Sequence, residues 1–192
     1  MSRLELFPDT TTIENDALTI GGCDLSALAD EYGTPLYLYD RATLDASVTV
    51  YRRALDAHYG SPSNGYHYLA ESGLTYAGKA FLCLAIAQWC RQQDLWLDCS
   101  GLGEIAIAVA AGVPREHIVV HGVNKSPADL EAAIRHAGII VIDNLTELER
   151  LVSLATNHSL PDLWLRFQPG LAVETHAYTQ TCLLYTSPSP RD

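Results

Sequence analysis

Five apolar runs in this chain close on a polar residue, at Lys79, Asp98, His121, Asp143 and Arg166, which lie 19, 23, 22 and 23 positions apart. That interval is the length of one strand, one helix and two short loops. Few folds accommodate such a rhythm, because strictly alternating βα units imply a parallel sheet covered by helices. Short strands at even spacing favour closure into a barrel over an open, doubly wound sheet. No Gly-x-Gly-x-x-Gly follows the first strand, which lowers the dinucleotide-binding alternative. The spacing therefore leads to an α/β fold, with a barrel favoured over the open sheet.

Residue chemistry places the elements. Pro35–Tyr39 reads as a short strand, with Asp40 able to cap a helix over Ala42–His58. The last part of Tyr66–Lys79 reads as a strand, and Ala80–Gln92 as a helix. Leu95–Cys99, Ile118–His121, Ile139–Ile142 and Leu163–Arg166 read as further strands. Helices are expected over Gly103–Ala111, closed by Gly112, over Pro127–His136, opened by Ser126, and over Leu145–Thr156. Asp143-Asn144 reads as the cap of the last of these.

Composition narrows the function. The 192 residues carry 23 acidic and 12 basic side chains, a formal charge of −11, with no Lys/Arg cluster, so neither nucleic acid nor a membrane surface is an expected partner. No apolar stretch reaches the roughly twenty residues a spanning helix needs. Cys23, Cys83, Cys90, Cys99 and Cys182 form no Cys-x-x-Cys pair, so they read as free thiols in a reducing cytoplasm. No metal-ligand set is expected.

In a barrel the C-terminal strand ends converge on the active face. There, one residue stands out. The chain has two lysines, Lys79 and Lys125, against ten arginines. An amine desolvated at a barrel mouth can act as a Schiff-base nucleophile, which a guanidinium cannot. On position alone, a helix-capping or surface lysine is an equal reading.

The surrounding segments separate those readings. Tyr76-Ala77-Gly78-Lys79-Ala80-Phe81 resembles the lysine segment of the barrel-type pyridoxal-phosphate decarboxylases. Asp98-Cys99-Ser100-Gly101-Leu102-Gly103-Glu104 resembles their Asp-x-x-Ser-Gly-Gly-Glu stretch, and Leu165–Gly170 with His176 their Arg-x-Asn-Pro-Gly segment. Leu18–Gly22 through Tyr32–Tyr37 resembles their N-terminal lead-in. His121-Gly122-Val123-Asn124-Lys125-Ser126 is the piece most similar to the diaminopimelate branch. The resemblance covers roughly residues 17–181, with departures at Gly101, Leu102 and Val123.

The resemblance implies pyridoxal 5'-phosphate as cofactor, held by Lys79, and decarboxylation of a small amino acid, meso-2,6-diaminopimelate, to L-lysine. It implies that Arg166 lies near the cofactor's phenolic oxygen, with a strand-end ion pair as the alternative role. Small Ala77 would let the ring lie close, Asp98 and Glu104 would tune the pocket, and His121 and Asn124 would shape the adjoining loop. Lys125 is expected to be structural or solvent-facing, and His176 receives no role. By the same resemblance the fold is α/β, a partial (β/α)8 barrel of the TIM type: residues 1–34 are expected to contribute to a β-rich C-terminal domain whose bulk lies elsewhere, and 35–181 to be the truncated cofactor-binding barrel. Cys182–Asp192, with its two Ser-Pro steps, resembles one reading frame of a transposase sequencing adapter and is expected to be non-native. The phosphate loop, the second domain and a homodimer with shared active sites would belong to sequence beyond residue 181, so the chain alone is expected to be inactive. Decarboxylases of ornithine, arginine or carboxynorspermidine, a regulatory homologue without chemistry, and a Schiff-base aldolase barrel remain as alternatives.

Overall fold

The computed structural model describes residues 3–58, 73–155 and 160–167. The chain divides into two compact units, Met1–Leu74 and Thr75–Asp192. The first contains a three-stranded antiparallel sheet, β1 (Thr12–Glu14), β2 (Ala17–Ile20) and β3 (Cys23–Asp24), in the order β1-β2-β3. The Asp24 carboxylate accepts from the backbone N–H groups of Ser26 and Ala27 and so opens helix α1 (Leu25–Tyr32). Asp40 likewise accepts from the Thr43 N–H at 2.9 Å at the start of α2 (Arg41–His58), the cap expected from the sequence. Pro35–Tyr39 is a correction: it joins no ladder among the described residues, and Leu36, Tyr37, Leu38 and Tyr39 are exposed. A β-rich composition favours a strand only where a neighbour supplies the hydrogen bonds.

The second unit is the βα array. Strands β4 (Thr75–Ala77), β5 (Trp96–Cys99), β6 (Ile118–Val120), β7 (Ile139–Ile142) and β8 (Asp162–Leu165) form one sheet in the order β4-β5-β6-β7-β8, every pair parallel. Helices α3 (Leu84–Gln92), α4 (Leu102–Ala110), α5 (Pro127–His136) and α6 (Leu145–Leu154) connect successive strands. Strands that neighbour one another in chain order, with no reversal, are the pattern of a barrel wall. A doubly wound sheet would reverse direction at a switch point. The fold is α/β, as expected, with helices and parallel strands in the barrel arrangement.

Register divides the sheet into two faces. Cys99, Val120, Ile140 and Leu163 lie in one row, and Cys99, Val120 and Ile140 are fully buried. Tyr76 shares that face and packs edge-on against Trp89 of α3, with ring centroids 5.9 Å apart, which marks it as the helix side. Ile86, Ile105, Leu130, Ala133 and Leu151 bury the inner stripes of the four helices against it. The opposite row runs Ala77, Asp98, Val119, Ile139, Asp162. Because side chains alternate along a strand, Asp98 and His121 share that second face, as do Trp164 and Arg166.

Two boundaries differ in how far they follow expectation. The residues Gly78–Ala80 form a single 3-10 turn and Phe81 is extended, so α3 begins at Leu84 rather than Ala80. Around α5, in contrast, sequence and structure agree. Ser126 and Asp129 form a reciprocal capping box, and Pro127 occupies the first helical position.

Candidate functional site

The turn that carries Lys79 is shaped from both sides. Tyr76 Oη donates to the Phe81 carbonyl at 2.8 Å, folding the chain back after β4. Gly78 is buried against the next strand: a Cβ there would lie 2.8 Å from the Asp98 carbonyl oxygen. Only a glycine lets the two backbones approach this closely, and the approach places Lys79 beside the end of β5.

A cavity of about 350 Å³ opens at the C-terminal ends of the strands. Lys79, Asp98, His121 and Arg166 line it, together with Ser100, Gly122 and Val123. These side chains come from the ends of β4, β5, β6 and β8, so positions separated by up to 87 residues in sequence meet in one place. Lys79 is exposed, and is the cavity's amine.

Electrostatics couple the group. His121 Nδ1 lies 3.5 Å from Asp98 Oδ2. Burial pushes the Asp98 carboxyl above the usual carboxylate range, and the neighbouring His121 and Lys79 hold it back. Asp98 Oδ1 is buried with no hydrogen-bond partner among the described residues. Arg166 Nη1 contacts Asp143 Oδ1 at 3.1 Å, the strand-end ion pair that the sequence left as its alternative role. An amine and a guanidinium around one cavity suit a small molecule with a carbonyl and an oxyanionic group, and the free carboxylate acceptor suits a donor on the same molecule.

The remaining expected residues sit nearby without lining the cavity. Ala77 pairs in register with Asp98, one step below the mouth. Glu104 Oε2 accepts from the backbone N–H and the hydroxyl of Ser100, closing the β5–α4 turn. Asn124 is exposed in the β6–α5 loop with φ +57, a left-handed conformation that asparagine tolerates. His176 lies outside the described residues. Lys125 is a correction to the solvent-facing reading: it is 2% exposed and paired with Glu147.

Sequence reasoning passed over several members. Ser100, Gly122 and Val123 stood inside the family-like segments without a role. Asp143 was grouped with Asn144 as a helix cap, yet Asn144 alone accepts from the Glu147 N–H, while Asp143 faces Arg166. Gly78 could have been found from its position beside the lysine, as a glycine in a strand that must meet another backbone.

Comparison with known proteins accords with this geometry. A family model described as "Pyridoxal-dependent decarboxylase, pyridoxal binding domain" matches residues 63–184. The chain is 36% identical over 186 residues to the diaminopimelate decarboxylase of Synechocystis sp., covering 92% of this chain and 38% of that protein. It is 40% identical over 167 residues to the diaminopimelate decarboxylase of Bacillus subtilis, covering 85% and 36%. Among solved structures, diaminopimelate decarboxylase from M. jannaschi aligns with a TM-score of 0.71 at 25% identity, over 88% of this chain and 38% of that one. The Helicobacter pylori diaminopimelate decarboxylase complexed with L-lysine aligns with a TM-score of 0.67 at 26% identity, over 84% and 39%. The chain thus spans well under half the length of the curated relatives it matches.

Proposed function

Because the chain belongs to the pyridoxal-dependent decarboxylase family, we propose that it supplies the lysine side of a cofactor site for converting meso-2,6-diaminopimelate to L-lysine. The observation that carries this reading is the convergence of Lys79, Asp98, His121 and Arg166 on one cavity, with Lys79 as its amine.

The residues present fit pyridoxal 5'-phosphate. The cavity falls within the range of small-molecule sites, about 300–1,000 Å³, and the unpartnered Asp98 Oδ1 is a buried acceptor that a donor on a bound molecule would satisfy. When bound, the cofactor supplies an electron sink for the pair left behind when the substrate carboxylate departs as carbon dioxide. Lys79 Nζ would hold the cofactor through its aldehyde and stand where a proton must be returned. Arg166, released from or shared with Asp143, would set a fixed positive charge beside the phenolic oxygen. Asp98, its carboxyl raised above the usual range by burial and held back by His121 and Lys79, would orient those two side chains instead of moving the substrate proton. Ala77 leaves room below the ring, Glu104 holds the Ser100 turn, and Asn124 shapes the loop after His121.

This reading includes a cytoplasmic setting, supported by the free, buried thiols of Cys90 and Cys99, and a homodimer with shared active sites, supported by family membership alone. Among the described residues no helix is long and apolar enough to cross a membrane. The test is chemical trapping: the 192-residue chain is mixed with pyridoxal phosphate, reduced with borohydride and mapped by peptide mass spectrometry. The label is expected on Lys79 and not on Lys125, and Lys79→Ala should remove it. Equal labelling of both lysines would defeat the proposal. Turnover is checked on the protein that carries this chain, as lysine release from meso-diaminopimelate in preference to ornithine or arginine, lost in Lys79→Ala.

A further inference from the structure

The second lysine is buried where a charge is costly. Lys125 Nζ donates to Glu147 Oε1 at 2.7 Å, to the Gly122 carbonyl at 2.7 Å and to the Val141 carbonyl at 2.8 Å. All three ammonium hydrogens have an acceptor, as such burial demands. Glu147 is 3% exposed, and its Oε1 also accepts from the Asp143 N–H at 3.3 Å. Its own N–H is held by Asn144 Oδ1 at 2.9 Å, which anchors it in the first turn of α6.

A buried ion pair is a weak way to stabilise a fold, since desolvation offsets the attraction and apolar replacements do as well or better. The geometry points to another use. Lys125 and Glu147 together grip the β6–α5 loop through Gly122, strand β7 through Val141, and the β7–α6 loop through Asp143. Gly122 lines the cavity, and Asp143 holds Arg166, which also lines it. Lys125 itself does not line the cavity. The pair therefore reaches the site at two points, Lys125 through the Gly122 carbonyl and Glu147 through Asp143, while neither side chain lines the cavity.

We propose that the Lys125–Glu147 pair is a positioning device that sets the Gly122 and Arg166 sides of the cavity for the molecule captured at Lys79. The inference rests on the proposed cofactor site. It gives the two lysines different roles, Lys79 as the exposed amine that reacts and Lys125 as the buried one that holds Gly122 and, through Glu147 and Asp143, Arg166 in place.

The test replaces the pair by apolar residues in the 192-residue chain, Lys125→Met with Glu147→Leu, and measures melting temperature and pyridoxal phosphate capture side by side. A merely structural pair predicts that a variant with restored stability also restores capture. Positioning predicts a melting temperature at or above the parent's with capture weakened ~10-fold, the scale seen when groups supporting a site are removed. Unchanged capture in the folded variant overturns the inference.

Should that variant not fold, the unmutated chain still decides. With only two lysines, a 15N-lysine-labelled chain has two side-chain ammonium resonances. Capture at Lys79 should remove one and shift the other, and an unmoved Lys125 resonance overturns the inference while leaving the cofactor site intact. Absence of any Lys79 adduct in the parent overturns both.

Discussion

Replacing Gly78 by alanine tests how tightly the Lys79 turn is seated. An ideal Cβ at this position would lie 2.8 Å from the Asp98 carbonyl oxygen, 3.3 Å from Leu82 Cδ2 and 3.6 Å from Glu104 Cδ. The leucine can rotate away. The carbonyl cannot, because it belongs to β5, which is paired on both sides. The methyl must therefore push the turn outward by several tenths of an ångström, and overpacking of this kind costs about 1–3 kcal/mol. For a chain of this size each kcal/mol moves the melting temperature by ~2–4 °C, so Gly78→Ala should melt roughly 5 °C lower. The displaced segment carries Lys79, so reductive trapping with pyridoxal phosphate should weaken in the same variant. Gly103→Ala is the matched control. Nothing lies within 4 Å of its Cβ position, and it sits inside α4, where alanine should add about 0.5–1 kcal/mol. Calorimetry of the two variants should move in opposite directions. A Gly78→Ala chain that melts and traps like the parent would refute the close approach of β4 and β5 at this turn.

Asp98→Asn should raise stability at neutral pH. Because burial lifts the folded carboxyl above its unfolded value, stability falls as pH rises from about 4 through that raised value, and stays reduced above it; urea melts across this window should flatten in the variant, and an unchanged slope would contradict the shift. Ser126→Ala removes the α5 capping hydroxyl and should cost about 1 kcal/mol by urea titration. The same hydroxyl is the main reason the Asp129 carboxyl lies below the usual range, so the stability that the parent loses as pH falls through that value should shrink in the variant. Thiol alkylation should label exposed Cys23 quickly and spare Cys90 and Cys99, both buried with thiols pushed up to about 12, until denaturant is added. Early labelling of Cys99 would mean that the helix side of the sheet is open.

What could be read from the sequence follows from the range of the forces involved. Helix α5 and strand β7 were legible to the residue, because a proline at the first turn, a capping serine and a branched tetrapeptide act within their own segment. The start of α3 was not, since the turn over Gly78–Ala80 is imposed by the Asp98 carbonyl of another strand. Strands β1 to β3, of three, four and two residues, are too short for periodicity to register. The site shows the same division. Lys79, Asp98, His121 and Arg166 could be named because each closes an apolar run, as Asp143 does too, and because each falls in a segment that resembles the family's. Glu147 could not, because what singles it out is an ammonium 22 residues earlier in the chain.

That division has a structural cause. The contacts that set the site join adjacent βα units: Gly78 meets the Asp98 carbonyl, Gly122 would meet the Ser100 carbonyl at 2.8 Å through any Cβ, and the Leu102 N–H donates to Asp129 Oδ1 at 2.8 Å. The side-chain pairs Asp98–His121, Lys125–Glu147 and Asp143–Arg166 each span one unit as well. Each strand end thus receives its geometry from its neighbour, so no single unit specifies the cavity. Spacing in the sequence reveals that the ends converge, because every unit has nearly the same length. Which partner each end meets depends on the register between strands, and register is set by the seams where two backbones touch. The glycines at those seams are consequently as much a part of the site as the lysine it presents.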